Sequence, residues 1–223
     1  MTYTDHFKPW AAVLAAMVAA LLLVTAAFTT GAQAQDTNCE VVLDAGHGGT
    51  DSGAVNTQYR LTEKEETLKV ANLTKSLLEA DHITVCMTRT SNSETLSNND
   101  RYTYANTTGA RVLVSVHMNG ASSSTTDYTT TLFGKWRKDK ELATTVFNSL
   151  STLPAADGKP KIATRTPYSF ASGVLLKSNM PATIAETVFI TNDQEAQLLA
   201  KGTRQPQIAE ALKVGIEGYL KPH

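Results

Sequence analysis

Apolar residues follow two rhythms along this chain. Short, nearly unbroken runs at Glu40 to Leu43, Ile83 to Thr88, Val112 to Val116 and Thr183 to Ile190 have the length and β-branched content of buried strands. Between them the spacing lengthens. Val70, Leu73 and Leu77, with Ala71 and Leu78, recur at helical intervals and predict a helix from about Glu63 to Glu79. Thr62 stands as its N-cap and Glu65 at the third position, a capping-box pattern. Further helices are predicted over Asn98 to Asn106 and Asp139 to Leu150. Another follows Asn192, which caps it with Glu195 three residues on, and Ile208, Leu212, Ile216 and Tyr219 mark a closing helix. Short strands are expected near Thr129 to Phe133 and Val174 to Leu176. The stretches Ala121 to Thr126 and Pro154 to Thr166 read as loop, as do Trp136, Arg137 and Lys138. Strand followed by helix, repeated, predicts a single α/β domain with a mainly parallel central sheet flanked by helices. Ligands of such sheets lie at the carboxyl ends of the strands.

The first residues differ in kind. Lys8 precedes an apolar run from Trp10 to Phe28, and Ala32-Gln33-Ala34 offers a small-x-small cleavage site. Residues 1–34 therefore read as a secretory signal peptide or, because the run is long enough to cross a bilayer, an uncleaved anchor. Residues 35–38 form a linker and 39–223 one folded domain, placed in the secreted, periplasmic or cell-wall space. Membrane contact is expected only if the N-terminal segment stays uncleaved. Asp36-Thr37-Asn38 ahead of Cys39 is not a lipoprotein-type box.

The formal net charge of −1, with acids and bases interspersed, excludes the electrostatic footprint of a nucleic-acid binder. A monomer is expected. Cys39 and Cys86 are the whole cysteine complement, and in an oxidising compartment a disulfide between them requires their strands to be neighbours. A buried free Cys86 beside an exposed Cys39 is the other reading. Two distant cysteines do not make a thiolate metal site.

Chemistry concentrates where the strands end. Val41-Val42-Leu43 runs into Asp44-Ala45-Gly46-His47-Gly48-Gly49, a strand delivering an imidazole among glycines that allow a sharp turn and close approach. The third strand likewise ends on His117-Met118-Asn119. Glu63 opens the first helix, where an acid is also favoured by the helix dipole alone. His47, Glu63 and His117 meet the ligand count of a catalytic zinc with an open position. Such a site lowers the pKa of water from about 16 towards 7 and polarises a carbonyl oxygen. A base is still required. Glu186, a lone acid in the run Ile184 to Ile190, is the candidate, since burying a carboxylate there is costly without a partner. The plain alternatives are an edge-strand acid facing solvent for Glu186 and a core histidine bonded to backbone for His117.

Taken together, Asp44 to Gly49, Leu61-Thr62-Glu63-Lys64, Arg101 to Asn106, Ser115 to Asn119 and Glu186 to Asn192 occur in one order. It resembles that of the zinc-dependent N-acetylmuramoyl-L-alanine amidases of the amidase-3 type, over residues 40–220. The resemblance implies a peptidoglycan hydrolase that cuts the amide between the lactyl group of N-acetylmuramic acid and the L-alanine of the stem peptide. It makes His47, Glu63 and His117 the Zn²⁺ ligands and Glu186 the catalytic acid/base. The implied partner is peptidoglycan or a muropeptide, with no protein activator indicated. Ala45 stands where the family commonly has proline, and Val188 where it usually has glycine, which should change the room near the base. Some members carry an inserted helix that blocks the site, and Ala121 to Tyr128 is too short for one, so an open groove is expected. The alternative from another class is a non-catalytic wall-binding or regulatory relative. A serine esterase is excluded by the absence of a Gly-x-Ser-x-Gly elbow.

Overall fold

The structure is a computed structural model and describes residues 38–221, so the signal or anchor expected over 1–34 lies outside the described residues. In chain order the elements are β1 Val41–Ala45, β2 Val55–Asn56, β3 Leu61–Thr62, α1 Glu63–Ala80, β4 Val85–Met87, α2 Asn98–Thr107 and β5 Val112–Asn119. Then come β6 Thr130–Phe133, α3 Trp136–Leu150, β7 Tyr168–Ser169, α4 Gly173–Lys177, β8 Ala182–Phe189, α5 Asp193–Ala200 and α6 Arg204–Leu220. Six strands form one sheet in the order β4-β1-β5-β8-β6-β7, and β2 pairs with β3 in a separate small ladder. Strands β4, β1, β5 and β8 run parallel, β6 is antiparallel to β8, and β7 is parallel to β6. The expected mainly parallel α/β architecture is what forms.

Parallel strands need cover on both faces, which is why their sequences are apolar without strict alternation. Val41, Leu43, Val112, Val114 and Val116 point into a core shared with the buried sides of α1, α3 and α6. Val42, Leu113, Ala182 and Ile184 point the other way, into a second core with Ala105 of α2 and Val174 and Leu175 of α4. Among the described residues no helix is long and apolar enough to cross a membrane.

Four local expectations are corrected. The apolar triplet Val174 to Leu176 is a helical turn in α4, with Val174 and Leu175 buried and Leu176 exposed. Three apolar residues are too few for periodicity to separate the two states. Trp136, Arg137 and Lys138 start α3 and are not a loop, although Trp136 is 62% exposed. Leu73, expected on the buried stripe of α1, is exposed, and the buried residues are Glu63, Glu66, Thr67, Leu68, Val70, Ala71, Thr74 and Leu78. Thr62 occupies the N-cap of α1 but makes no capping hydrogen bond. The Glu63 and Lys64 amides donate instead to the carbonyls of Ala54 and Ser52, so the helix start is satisfied by the preceding loop. The Asn192 cap of α5 does form, accepting from the amides of Gln194 and Glu195.

Cys39 and Cys86 are joined in a disulfide, because β1 and β4 are adjacent and the pair's Cα atoms lie 5.8 Å apart.

Candidate functional site

Three segments distant in sequence meet above the carboxyl ends of β1 and β5. His47 follows β1 with a φ of 61°, a left-handed conformation uncommon for a residue with a side chain. His117 lies near the end of β5, and Glu63 is the first residue of α1. Glu63 Oε1 lies 3.0 Å from His47 Nε2 and 3.0 Å from His117 Nδ1. One donor atom from each of the three residues falls within 4.8 Å of the others.

Around these side chains the loop backbone is tightly specified. Asp51 Oδ2 sits 2.8 Å from His47 Nδ1, and its other oxygen accepts from the Gly53 amide. This bond assigns the proton to Nδ1 and leaves Nε2 facing Glu63, the arrangement by which carboxylates orient metal-binding imidazoles. Glu63 accepts from two amides, Met118 at Oε1 and Ala54 at Oε2. Gly46 and Gly53 are required by close approach. A Cβ at Gly46 would lie 2.5 Å from the His117 ring, and one at Gly53 would lie 2.6 Å from both Glu63 Oε2 and the His47 ring.

Two buried arginines fix the His47 loop from beneath. Arg101 pairs with Asp44 at 2.7 Å and donates to the carbonyls of Ala45 and His47, while Arg89 donates to those of Ala45, Gly46 and Lys64. Asp44 is completed by hydroxyl donors from Thr88 and Ser115. The carbonyl of Ala45 serves both arginines.

Sheet register places the remaining acid. Glu186 is directly opposite His117 across the β5–β8 ladder and opposite Thr130 on the other side, so β8 is internal and Glu186 is not an edge acid. Its side chain shares a cavity of about 400 Å³ with His47, His117, Asp51 and Arg101, walled by Leu132, Tyr168 and Phe170. A register shift follows between His117 and Asn119, so that Thr187 bonds the His117 carbonyl and Val188 turns into the core on the opposite face. Val188 therefore takes no room from the cavity, contrary to expectation. None of residues 121–128 lines the cavity either, in keeping with an open groove.

Electrostatics follow from this packing. Burial pushes the Glu186 carboxyl above the ordinary carboxylate range, with Glu63 adding to the shift and His117 and His47 opposing it. Burial works against a charged His47, but the Glu63 and Asp51 carboxylates outweigh it and raise the imidazole to about 9. Burial likewise opposes ionisation of Glu63, and the two imidazoles reverse this and hold its carboxyl well below the usual range. Glu63 thus gathers positive charge, and a divalent cation at this position would displace the histidine protons. The donor set, two imidazoles and one carboxylate with an open side, fits a metal of the zinc class.

All four residues expected from sequence are brought together. Asp51, Gly53 and Arg89 were not foreseen as parts of the site. Arg89 alone had a signal, as a charged residue immediately after a strand.

The family model described as N-acetylmuramoyl-L-alanine amidase matches residues 41–218. The probable cell wall amidase LytH of Staphylococcus saprophyticus is 32% identical over 181 residues, covering 81% of this chain and 58% of that protein. The N-acetylmuramoyl-L-alanine amidase AmiC of Escherichia coli O6:H1 is 28% identical over 85% of this chain and 55% of its own length. The chain therefore spans little more than half of these curated relatives. Among solved structures, the catalytic domain of CwlV, an N-acetylmuramoyl-L-alanine amidase from Paenibacillus polymyxa var. colistinus, superposes with a TM-score of 0.71 at 30% identity. That match covers 81% of this chain and 97% of that one.

Proposed function

Because this chain belongs to the amidase-3 family of N-acetylmuramoyl-L-alanine amidases, we propose that it hydrolyses the amide joining the lactyl group of N-acetylmuramic acid to the L-alanine of the stem peptide. The observation that carries this reading is the convergence of His47, Glu63 and His117 donor atoms within 4.8 Å, beside Glu186 in an open cavity. We assign His47, Glu63 and His117 as ligands of Zn²⁺. When bound, the ion supplies Lewis acidity, lowering the pKa of water and polarising the scissile carbonyl.

The chain's own groups do the rest. Glu186, whose carboxyl burial keeps proton-accepting at a higher pH than usual, takes a proton from the attacking water and returns it to the departing alanine nitrogen. Asp51 fixes the His47 tautomer, and Arg89 and Arg101 hold the His47 backbone in place. Residues 39–223 are the catalytic domain in this reading, residues 1–34 a signal peptide or anchor, and the disulfide suits the oxidising space beyond the cytoplasmic membrane.

The test is metal content measured beside the products released from purified peptidoglycan. Zinc-dependent release of intact stem peptides with a free L-alanine amine, abolished by a chelator and rescued by zinc, is expected. Zinc-loaded protein that binds peptidoglycan without releasing peptide would instead identify a non-catalytic relative.

A further inference from the structure

The acids of the cavity pose a question of charge. Asp51 and Glu186 both line it, while its lining cation, Arg101, is already paired with Asp44 and two carbonyls. A substrate carboxylate that lies beyond the His47, Glu63 and His117 cluster, on the Glu186 side, would need another cation at the rim. Arg165, though not itself among the residues lining the cavity, stands against Tyr168 in its wall. Its backbone amide donates to the Thr129 carbonyl, next to Thr130, which faces Glu186 across the β6–β8 ladder. Its guanidinium carbon lies 4.7 Å over the ring of Tyr168, a residue whose side chain walls the cavity. Nη1 is 3.5 Å from the Tyr128 hydroxyl, and Tyr128 is itself braced edge-on against Phe189 at 4.7 Å. Arg165 is exposed, and none of the ion pairs among the described residues involves it.

An exposed arginine ordinarily loses side-chain freedom on binding an anion. Here two tyrosines already contact the guanidinium, so less of that loss is left to be met. Register also sets the reach. Two strand spacings of about 4.8 Å separate the backbone around Arg165 from that of Glu186, roughly 10 Å. An extended peptide advances about 3.3–3.6 Å per residue, so a chain leaving Glu186 towards β7 brings its second or third residue to the guanidinium.

We propose that Arg165 is the specificity-determining residue of this site. It selects stem peptides with a free carboxylate within about three residues of the scissile amide over peptides amidated there. The inference rests on the amidase reading above.

Two soluble N-acetylmuramoyl tripeptides, identical except that the carboxylates are free in one and amidated in the other, test it. Wild-type protein should favour the free form by roughly fivefold in kcat/KM, carried by KM and reduced by added salt. Arg165→Gln should erase the preference with kcat and zinc content unchanged, Arg165→Lys should keep part of it, and Arg165→Glu should reverse it. An undiminished preference in Arg165→Gln, or an equal loss on both peptides, overturns the proposal. Calorimetric binding of the same peptides to wild-type and Arg165→Gln proteins separates the two readings. If neither peptide is cleaved but the free form binds better and only to wild type, the amidase reading fails and the carboxylate site stands.

Discussion

A single hydrogen bond decides which nitrogen of His47 faces the ligand centre. Asp51 lies 2.8 Å from Nδ1, yet its own side chain is largely exposed and touches neither Glu63 nor His117 within hydrogen-bonding distance. Its effect on chemistry is therefore indirect, through the tautomer and ring orientation of its neighbour. Asp51→Ala should weaken metal binding by about 10- to 100-fold, read by competition with a chelator, and saturating zinc should restore most of the turnover. Asp51→Asn retains an acceptor for the Nδ1 proton and should be milder. Affinity unchanged in Asp51→Ala would mean that the loop alone orients the ring. Glu186 should behave in the opposite way, because it lies across the cavity and not in the cluster of donor atoms. Glu186→Gln should bind zinc as wild type does and lose turnover by at least a hundredfold. His47→Ala or His117→Ala should lose the metal itself. Near-normal hydrolysis by Glu186→Gln removes it from the role of base.

At the scale of elements, the strand ends and the loop after β1 behave as one unit fastened by a buried ion pair. Asp44 and Arg101 are almost fully buried, and the same guanidinium carries the carbonyls of Ala45 and His47. Removing one charge strands the other in the interior, so Asp44→Asn should lower stability by about 3–5 kcal/mol in urea unfolding. Burial alone would raise the Asp44 carboxyl, but Arg101, Ser115 and Thr88 together hold it below its ordinary value of 3.8. A depressed folded pKa gives stability that is complete above 3.8 and is lost as pH falls through the lower folded value. Wild-type protein should thus lose stability below about pH 4 more steeply than Asp44→Asn. Parallel curves for the two would show that other carboxylates govern acid unfolding. Sequence made the strand ends and both histidines legible, because apolar runs stop there and an imidazole follows. What Arg89 and Arg101 hold was hidden for a physical reason. Arg89 and Arg101 serve carbonyls more than forty residues away in the chain, and such pairings leave no local period. Gly53 read as one more loop glycine, since its necessity lies in the approach of Glu63 and His47. The capping bond expected from Thr62 at the correctly placed start of α1 fails for the same reason, as the helix's first amides are met by a loop that only the tertiary fold brings there.

For the molecule as a whole, the disulfide encloses the segment that carries His47 and Glu63, two of the three metal-binding candidates. The bridged cysteines are 47 residues apart, and between them lie the His47 loop, Asp51, Gly53, the β2–β3 ladder and all of α1 with Glu63. Strand β4, which carries Cys86, is three residues long and closes one edge of the sheet with β1 as its only neighbour. The bridge adds to the core packing of Val85 and Met87 and to the bonds of Thr84 and Thr88 with β1, and it shortens the unfolded chain where the site's long-range contacts must form. Chain entropy for a loop of this length is worth about 4 kcal/mol, and measured bridges typically give about 2–4. For a domain of this size that corresponds to a Tm lower by roughly 5–15 °C after reduction or in a Cys39→Ser, Cys86→Ser double variant. The site itself should survive below that temperature, because neither cysteine is among the metal-binding candidates or the residues lining the cavity. Zinc stoichiometry and turnover at 20 °C should then match wild type while the urea midpoint falls. An unchanged midpoint would mean that the fold is carried by its two cores alone. Loss of zinc with an intact midpoint would mean instead that the strained His47 loop, and not the sheet edge, depends on the bridge.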